Sequence, residues 1–250
     1  MMKLFLFVSF YSILLLINTL LYLIEKSLFI NDLTLKIRVK TLSIICKILC
    51  WVLGVKSDID KKNHEYPCLI VSNHLSYLDI LIISSNYNCS FVGSVDQVKQ
   101  DLFFGYIAKI SGCIFVDRKD KRKIKSEMIN ISEKLEKVSV CIFPEATTSN
   151  GENVLKFNSS FFQVCLNNQK NINLLTLNYK AIDNKSVSNE NRDYVFYYGK
   201  HIFLEHFLKF LKLKKIKVDI TDRLISSNIS DRKELADLSY KIIKNSYHSI

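Results

Sequence analysis

The sequence has little glycine and proline, with only six Gly and two Pro among 250 residues. Collagen-like and Gly/Pro-rich low-complexity chains are therefore excluded. The sequence also lacks C-x-x-C pairs and Cys/His clusters with metal-ligand spacing, so we expect no metal site. Its seven cysteines are odd in number, and most stand inside apolar runs. They are predicted to be free buried thiols in a reducing compartment.

The chain is both apolar and basic. Hydrophobic residues make up 48% of the sequence, which excludes a disordered chain. Lys and Arg total 35 against 24 Asp and Glu, a formal net charge of +11. Such an excess indicates an anionic partner, either a nucleic acid or a membrane surface. Because the basic residues concentrate beside apolar segments and no nucleic-acid motif is present, we expect membrane lipids as partners and no nucleic acid.

Two apolar segments open the chain. Leu4 to Ile24 carries no charge and would span about 31 Å as a helix, enough to cross a bilayer core. An uncleaved membrane anchor is favoured over a cleaved signal peptide or a buried soluble helix, because neither a short apolar region nor a cleavage site is seen. Residues 33–55 mix basic and apolar side chains, which predicts a second helix at the membrane interface. The excess of basic residues after the first segment places the remainder on the cytoplasmic side, of the inner membrane if the cell is bacterial.

We therefore divide the chain into a membrane region, residues 1–55, and an α/β domain, residues 56–250. In the second part, short apolar runs alternate with amphipathic stretches, which predicts a mostly parallel sheet flanked by helices. The predicted strands are Cys68–Ser72, Ser90–Gly93, Cys113–Val116, Val138–Phe143, Asn173–Asn178, Tyr194–Tyr198 and Ile216–Ile220. The predicted helices are Ser76–Ser85, Lys121–Lys137, Ser159–Asn168, Ile202–Leu213 and Asp231–Asn245.

Polar residues follow three of these strands. His74 and Asp79 come after the first strand, and they can meet only if His74 lies in the turn and Asp79 in the first helical turns. A histidine oriented by a carboxylate is two-thirds of a Ser-His-Asp triad, but the sequence has no G-x-S-x-G segment to supply the nucleophile. Such a base can instead activate a hydroxyl of the substrate. Taken alone, the pair is also compatible with a capping histidine and a surface aspartate.

Two further segments strengthen the case for a site. GCIFVDR, residues 112–118, is an apolar strand that ends in a cation, Arg118. FPEATTSNG, residues 143–151, follows another strand and is rich in hydroxyl groups. Ligands of open α/β sheets bind at the carboxyl ends of the strands. Arg118 and the turn are therefore candidates for binding an anion such as a phosphate.

In order and spacing, these three segments resemble the motifs of the 1-acyl-sn-glycerol-3-phosphate acyltransferases and related lysolipid acyltransferases. The family's N-H-x-x-x-x-D, G-x-x-F-x-x-R and F-P-E-G-T-R-S motifs are matched by Asn73, His74 and Asp79, by Gly112, Phe115 and Arg118, and by Phe143, Pro144, Glu145, Thr147 and Ser149. A later V-x-P-V-x-x-x-Y motif keeps only its spacing and Tyr179. The resemblance covers most of the chain.

The resemblance implies transfer of a fatty acyl group from acyl-CoA or acyl carrier protein to the free hydroxyl of a lysolipid acceptor. His74 would take the hydroxyl proton and Asp79 would fix the imidazole tautomer. Arg118 would bind the acceptor's phosphate, with Glu145 assisting through orientation. The full set of predicted substrate-binding residues is Asn73, Gly112, Phe115, Arg118, Glu145, Thr147 and Thr148. No cofactor or metal is implied beyond the thioester co-substrate.

Two departures from the motifs leave the acceptor open. Ala146 stands where the family usually has Gly, and Thr148 stands where many members have Arg. The first choice is 1-acylglycerol-3-phosphate, which would give phosphatidic acid for phospholipid synthesis. A lyso-ornithine lipid or another lysophospholipid is the alternative acceptor, and a non-catalytic lipid-binding relative is an alternative of a different class.

Overall fold

The computed structural model describes residues 2–28, 31–60, 66–95, 102–117, 124–168, 170–225 and 229–250. The helices are α1 (Met2–Leu28), α2 (Asn31–Leu53), α3 (Leu78–Asn86), α4 (Leu102–Ile110), α5 (Ile124–Leu135), α6 (Gln163–Asn168), α7 (Phe203–Phe210) and α8 (Arg232–Ser246). The strands are β1 (Val55–Asp60), β2 (Leu69–Ser72), β3 (Cys89–Ser94), β4 (Ile114–Val116), β5 (Ser139–Ile142), β6 (Ile172–Ile182), β7 (Lys185–Ser186) and β8 (Ile216–Ile225). Short 3-10 turns lie at Ser159–Phe162 and Arg192–Tyr194.

One mixed sheet forms the centre of the molecule, with strand order β1-β8-β6-β2-β5-β3-β4 and β7 paired to β6. Strands β6, β2, β5, β3 and β4 run parallel to one another. Strand β8 is antiparallel to β6, and β1 is parallel to β8. The parallel strands therefore end at one edge of the sheet, where residues that follow β2 and β5 come together.

Helices cover both faces of this sheet. Strand β2 shows why, because Leu69, Ile70 and Val71 are all fully buried although successive side chains point to opposite faces. Ile70 packs in the core that α1, α2, α3, α4 and α7 cover, and its two neighbours pack in the core that α5, α6 and α8 cover. The predicted α/β architecture with a mostly parallel sheet is thus confirmed.

Helix α1 lies along the domain over its whole length. Phe7, Tyr11, Leu14 and Asn18, spaced along one face, are buried. Near the start of the helix, the Lys3 ammonium donates to the carbonyl oxygens that end α2 and follow α7, at 3.0 and 2.6 Å. The outward face carries exposed apolar side chains, including Phe5, Val8, Leu16, Leu20 and Leu23. In the described part of the chain, α1 is the one helix whose length and composition suit a membrane span.

The amino-terminal helices share one core with the sheet, since Leu49 of α2 belongs to the same buried cluster as Ile70. The pair is fastened by the buried guanidinium of Arg38, which forms an ion pair with Glu25 of α1 at 2.5 Å. The same guanidinium donates to the Ile110 carbonyl at the end of α4. The division of the chain at residue 55 stays a prediction.

Four elements differ from the sequence prediction, and one of them is the two-residue strand β7, which was not predicted. Tyr194–Tyr198 was predicted as a strand, and this is wrong: a 3-10 turn followed by irregular chain occupies it. Its backbone bonds locally instead, since the Phe196 amide donates to the Arg192 carbonyl at 2.7 Å. Strand β1 and helix α4 were not predicted. Strand β1, VKSDID, alternates buried or part-buried positions with exposed ones at the sheet edge, but its one lysine and two aspartates leave no apolar run that would indicate a strand.

Gly54 makes the turn from α2 into β1, and the structure predicts a specific cost for a side chain there. Its φ is +79°, and an added Cβ would lie 2.1 Å from the Lys214 carbonyl oxygen. Gly199 also has positive φ, +62°, but has open space around it. Each Gly→Ala change adds about 1–2 kcal/mol of left-handed strain. We therefore expect G54A to lower the free energy of unfolding clearly more than G199A, as measured by denaturant unfolding in detergent. Equal losses for the two variants would show that the contact between the added Cβ and the Lys214 carbonyl oxygen does not affect the free energy of unfolding.

Candidate active site

The candidate site lies between the carboxyl ends of β2 and β5, which are adjacent and parallel. The chain leaving β2 leads to α3 on one face of the sheet, whereas the chain leaving β5 leads to α6 on the other face. Two neighbouring strands whose connections diverge in this way open a crevice at their carboxyl ends. His74 follows β2 and Glu145 follows β5, so both stand at this crevice.

The structure brings His74 and Asp79 into contact. The His74 Nδ1 atom lies 2.9 Å from Asp79 Oδ2. Asp79 is the second residue of α3, and its side chain is fully buried, whereas the His74 side chain is 17% exposed. The turn between β2 and α3 thus points the carboxylate back toward the histidine and leaves the imidazole at the surface of the crevice.

Four donors hold the Asp79 carboxylate. Oδ2 accepts the backbone N–H groups of Leu75 and Ser76, at 2.6 and 2.9 Å, in addition to His74. Oδ1 accepts the hydroxyl of Tyr179, at 2.7 Å, from the carboxyl-terminal half of β6. A buried carboxylate with this many donors is held as an acceptor, so the His74 proton resides on Nδ1 and the Nε2 lone pair is left free.

A phenylalanine ring stacked on the imidazole fixes the orientation of the imidazole plane. The His74 ring stacks on Phe143, with centroids 3.9 Å apart and planes 12° apart. Phe143 in turn stacks on Phe91 of β3 at 6.2 Å. Among the described residues, Nε2 of His74 makes no hydrogen bond. The ring is therefore oriented on one nitrogen and one face, and its second nitrogen is available to a substrate.

Glu145 connects the two loops of the crevice. Its Oε1 accepts the backbone N–H of His74 at 2.7 Å, and its Oε2 accepts that of Leu155 at 2.8 Å. Burial raises the pKa of this carboxyl to about 8, against the lowering effect of the two amide donors. In return, the Ser149 amide donates to the His74 carbonyl at 3.0 Å. The loop after β5 thus holds the backbone of the histidine on both sides.

The loop after β5 carries backbone strain at Ala146. Its φ is +65°, a left-handed conformation that costs a residue with a Cβ about 1–2 kcal/mol. This is the position at which the resembling family usually has Gly, which adopts such a conformation without this cost. Thr147 is exposed, Thr148 is partly exposed and Ser149 is buried. The two threonines are thus the hydroxyl residues of this loop that are open to a ligand.

Two of the predicted substrate-binding residues have other positions than expected. The amide of Asn73 is 1% exposed, donating to the Leu177 carbonyl at 3.1 Å and accepting its N–H at 2.8 Å. Asn73 therefore ties the histidine loop to β6, and its predicted contact with substrate stays a prediction. Gly112 is buried before the amino-terminal end of β4, at the edge of the sheet opposite to His74. Its predicted contact with substrate stays a prediction.

The remaining predictions divide between what the structure describes and what it does not. Phe115 lies within β4 with a partly exposed side chain. Arg118 lies outside the described residues, so its predicted contact with phosphate stays a prediction. Tyr179 was noted in the sequence only for its spacing, and no local signal indicated its bond to Asp79. Its position at the end of a strand beside β2 was the available clue.

The fold and the site together define an α/β enzyme. Its histidine–aspartate pair lies at the carboxyl ends of the parallel strands, and the sequence has no nucleophile elbow. A family model described as Acyltransferase matches residues 55–180. Since this match covers half of the chain and includes the whole crevice, the chain belongs to the Acyltransferase family.

Curated relatives differ in the acceptor that their names give. A lyso-ornithine lipid O-acyltransferase of Rhizobium meliloti (strain 1021) is 26% identical over 206 residues, covering 77% of this chain and 69% of the relative. A 1-acyl-sn-glycerol-3-phosphate acyltransferase of Neisseria gonorrhoeae is 28% identical over 130 residues. The chain spans about half the length of the Neisseria protein, 51%.

A solved structure shares the fold. The 1-acyl-sn-glycerophosphate acyltransferase PlsC from Thermotoga maritima superimposes with a TM-score of 0.67, covering 98% of this chain and 94% of that one. The sequence identity is 14%, so this likeness supports the architecture alone.

The Tyr179 hydroxyl is expected to support catalysis without touching substrate. Tyr179→Phe removes one of four donors to a buried carboxylate, a bond of about 1.5–3 kcal/mol. We expect kcat to fall by about 10- to 100-fold with KM little changed. Tyr198→Phe is the matched control, because that hydroxyl donates to Asp193 at 2.7 Å outside the site. Steady-state kinetics in detergent measure both variants, and equal rates for the two would contradict the assigned role.

The Glu145 carboxyl predicts a pH dependence of stability. In the unfolded chain this group ionises near its ordinary pKa of 4.5, and in the folded protein burial raises the pKa to about 8. Between these values the folded state holds a proton that the unfolded state has lost, so its contribution to the free energy of unfolding falls as pH rises. Glu145→Gln removes this titration. Denaturant unfolding between pH 5 and 8 is expected to give a steeper decline for the wild type, and parallel curves would contradict the assignment.

Proposed function

We propose that this protein transfers a fatty acyl group from a thioester to the free hydroxyl of a lysolipid. The observation that carries the proposal is the His74–Asp79 pair, with Nδ1 bound to the carboxylate and Nε2 open to the crevice. A base of this kind activates a hydroxyl that the substrate itself supplies. Family membership supports the reaction type, and the finer assignment of the acceptor is part of the proposal.

In the proposed step, one proton moves from the acceptor hydroxyl to His74 and from His74 to the leaving thiolate. Nε2 of His74 takes the proton of the acceptor hydroxyl while its oxygen attacks the thioester carbonyl. The buried Asp79 carboxylate stabilises the imidazolium that forms. Collapse of the tetrahedral intermediate breaks the C–S bond, and the imidazolium returns its proton to the departing thiolate. The product is an ester and a free thiol, from either acyl-CoA or acyl carrier protein. The step assigns no role to a metal or cofactor.

The proposed acceptor is 1-acylglycerol-3-phosphate, which would give phosphatidic acid. Arg118, two residues after the end of β4 in the sequence, is proposed to bind the phosphate. Thr147 and Thr148 are the other proposed contacts. A second candidate is a lyso-ornithine lipid, favoured by the Rhizobium relative and by Thr148, which supplies no cation where many phosphate-binding members have Arg. Glu145 contributes by holding the His74 backbone.

We propose that the enzyme works on a membrane surface. The exposed apolar face of α1 supports this, and the +11 net charge suits anionic headgroups. Contacts at both ends of α1, through Lys3 and Glu25, favour a helix that lies on the domain and the membrane together. The catalytic domain is proposed to face the cytoplasm, where acyl thioesters are made.

The acceptor is tested with the full-length protein in lipid vesicles, a panel of lysolipids and both thioester donors. Transfer to lysophosphatidate supports the first candidate, and transfer only to a lyso-ornithine lipid supports the second. Lipid binding without transfer to any acceptor would overturn the enzymatic proposal in favour of a lipid-binding protein.

His74→Ala tests the mechanism. Loss of the base is expected to lower kcat by about 10²–10⁴-fold, the usual contribution of general base catalysis. His248→Ala is the control, since His248 lies near the carboxyl terminus and contacts Lys180. Membrane-bound protein is quantified for both variants so that a change in location is not read as a change in rate. Near-normal turnover of His74→Ala would contradict the mechanism.

A further inference from the structure

Helix α7 has three distinct faces. His206, Phe207 and Phe210 are buried against the sheet. Leu204 and Leu208, four residues apart and thus on one side of the helix, are 62% and 45% exposed. We call this pair, with the 61%-exposed Ile202 just before the helix, the leucine stripe. An exposed apolar stripe on a helix whose opposite face is already packed has no role in the core of this chain.

Charged side chains lie beside the leucine stripe. Glu205 and Lys209, again four residues apart, are exposed on the neighbouring side of the helix, and Lys212 follows in the next turn. Lys214 and Lys215 continue the exposed basic run toward β8. A helix with an apolar stripe bordered by lysines is the arrangement found in helices that lie in the interface of an anionic bilayer.

Helix α7, which carries the leucine stripe, packs against α1. The ring of Phe207, on the side of α7 next to the stripe, packs on Phe7 of α1 with centroids 4.9 Å apart. On α1, Leu4, three residues before Phe7 and on the same side of the helix, is 40% exposed, and Val8, the residue after Phe7, is 51% exposed. The two helices therefore contact each other, and each exposes apolar side chains to solvent beside that contact.

Helix α7 is also joined to the segment that carries the catalytic pair. The Tyr77 hydroxyl, between His74 and Asp79 in sequence, donates to His206 Nδ1 at 2.9 Å, and His206 Nε2 donates to the Phe196 carbonyl at 2.9 Å. Burial lowers the pKa of His206 to about 4, so it stays neutral and keeps this donor–acceptor pattern. The position of α7 is therefore coupled to the position of the His74 loop.

We propose that α7 inserts its leucine stripe into the same bilayer leaflet as α1, and so holds the His74 crevice against the membrane surface. This inference rests on the proposed function, because it assumes that the enzyme acts on lipid at a membrane surface. It adds a second membrane contact beside the site. A lipid surface fits better than an acidic carrier protein, because the helix exposes two leucines on one side and the lysines lie at the border of that side.

Depth-dependent quenching tests the insertion without reference to activity. The only tryptophan of the sequence is first removed by Trp51→Phe. A single tryptophan is then introduced by Leu204→Trp. In vesicles of zwitterionic and anionic lipids with brominated acyl chains, its emission is expected to be strongly quenched. Asp237→Trp, on α8 across the sheet, is the matched exposed control and should stay unquenched. Equal, weak quenching at both positions would overturn the proposal.

A second measurement links docking to turnover. The exposed pair is changed by Leu204→Ser and Leu208→Ser, and the loss of apolar contact is expected to lower the rate on vesicle-borne lysolipid by about tenfold. The rate on a short-chain, water-soluble acceptor should not change. Unchanged vesicle rates, or a loss restricted to assays with acyl carrier protein as donor, would contradict a lipid contact. If the wild type transfers to no acceptor, the proposed function fails, while the quenching result still decides whether α7 inserts.

Discussion

The buried carboxylate of Asp79 is the constraint on which the rest of the site depends. A charge removed from water must be compensated by close donors. Here the compensation comes from two backbone amides of its own turn, from the His74 ring and from the Tyr179 hydroxyl. The two amides come from the local turn, the imidazole is the catalytic side chain, and the tyrosine hydroxyl comes from a distant strand. The same bonds that stabilise the charge therefore fix the tautomer of the histidine.

The loops of the crevice are held in place mainly by hydrogen bonds and ring contacts to residues distant in sequence. Asn73 continues the backbone pairing of β2 with β6 through its side-chain amide. Glu145 bridges the amides of His74 and Leu155, and Phe143 supports the imidazole face. Motif residues that a sequence comparison groups as substrate contacts thus serve in part as ties between strands. The rigidity that results places one free nitrogen, Nε2, at the carboxyl edge of the sheet.

The sequence was sufficient for the features that depend on local pattern. The apolar run of α1 and the alternation of strands and helices follow from spacing within a few residues. The meeting of His74 with Asp79 was expected only on the condition that His74 lies in a turn before the helix. Features made by contacts distant in sequence were not predictable in this way. The Tyr179 bond spans 100 residues, and the burial of Asn73 depends on β6. The segment around Phe196 has the composition of a strand, but its carbonyl is taken by His206 and no neighbouring strand pairs with it among the described residues.

The central claim is that Asp79 holds His74 as the Nδ1–H tautomer with a free Nε2 lone pair. Nitrogen NMR of the protein with ¹⁵N-labelled histidine, in detergent near neutral pH, measures this directly once the His74 signals are assigned by comparison with His74→Ala. The account predicts a protonated Nδ1 and an unprotonated Nε2 for this residue. A proton on Nε2 with Nδ1 unprotonated would contradict it, because the ring would then have no free base facing the crevice.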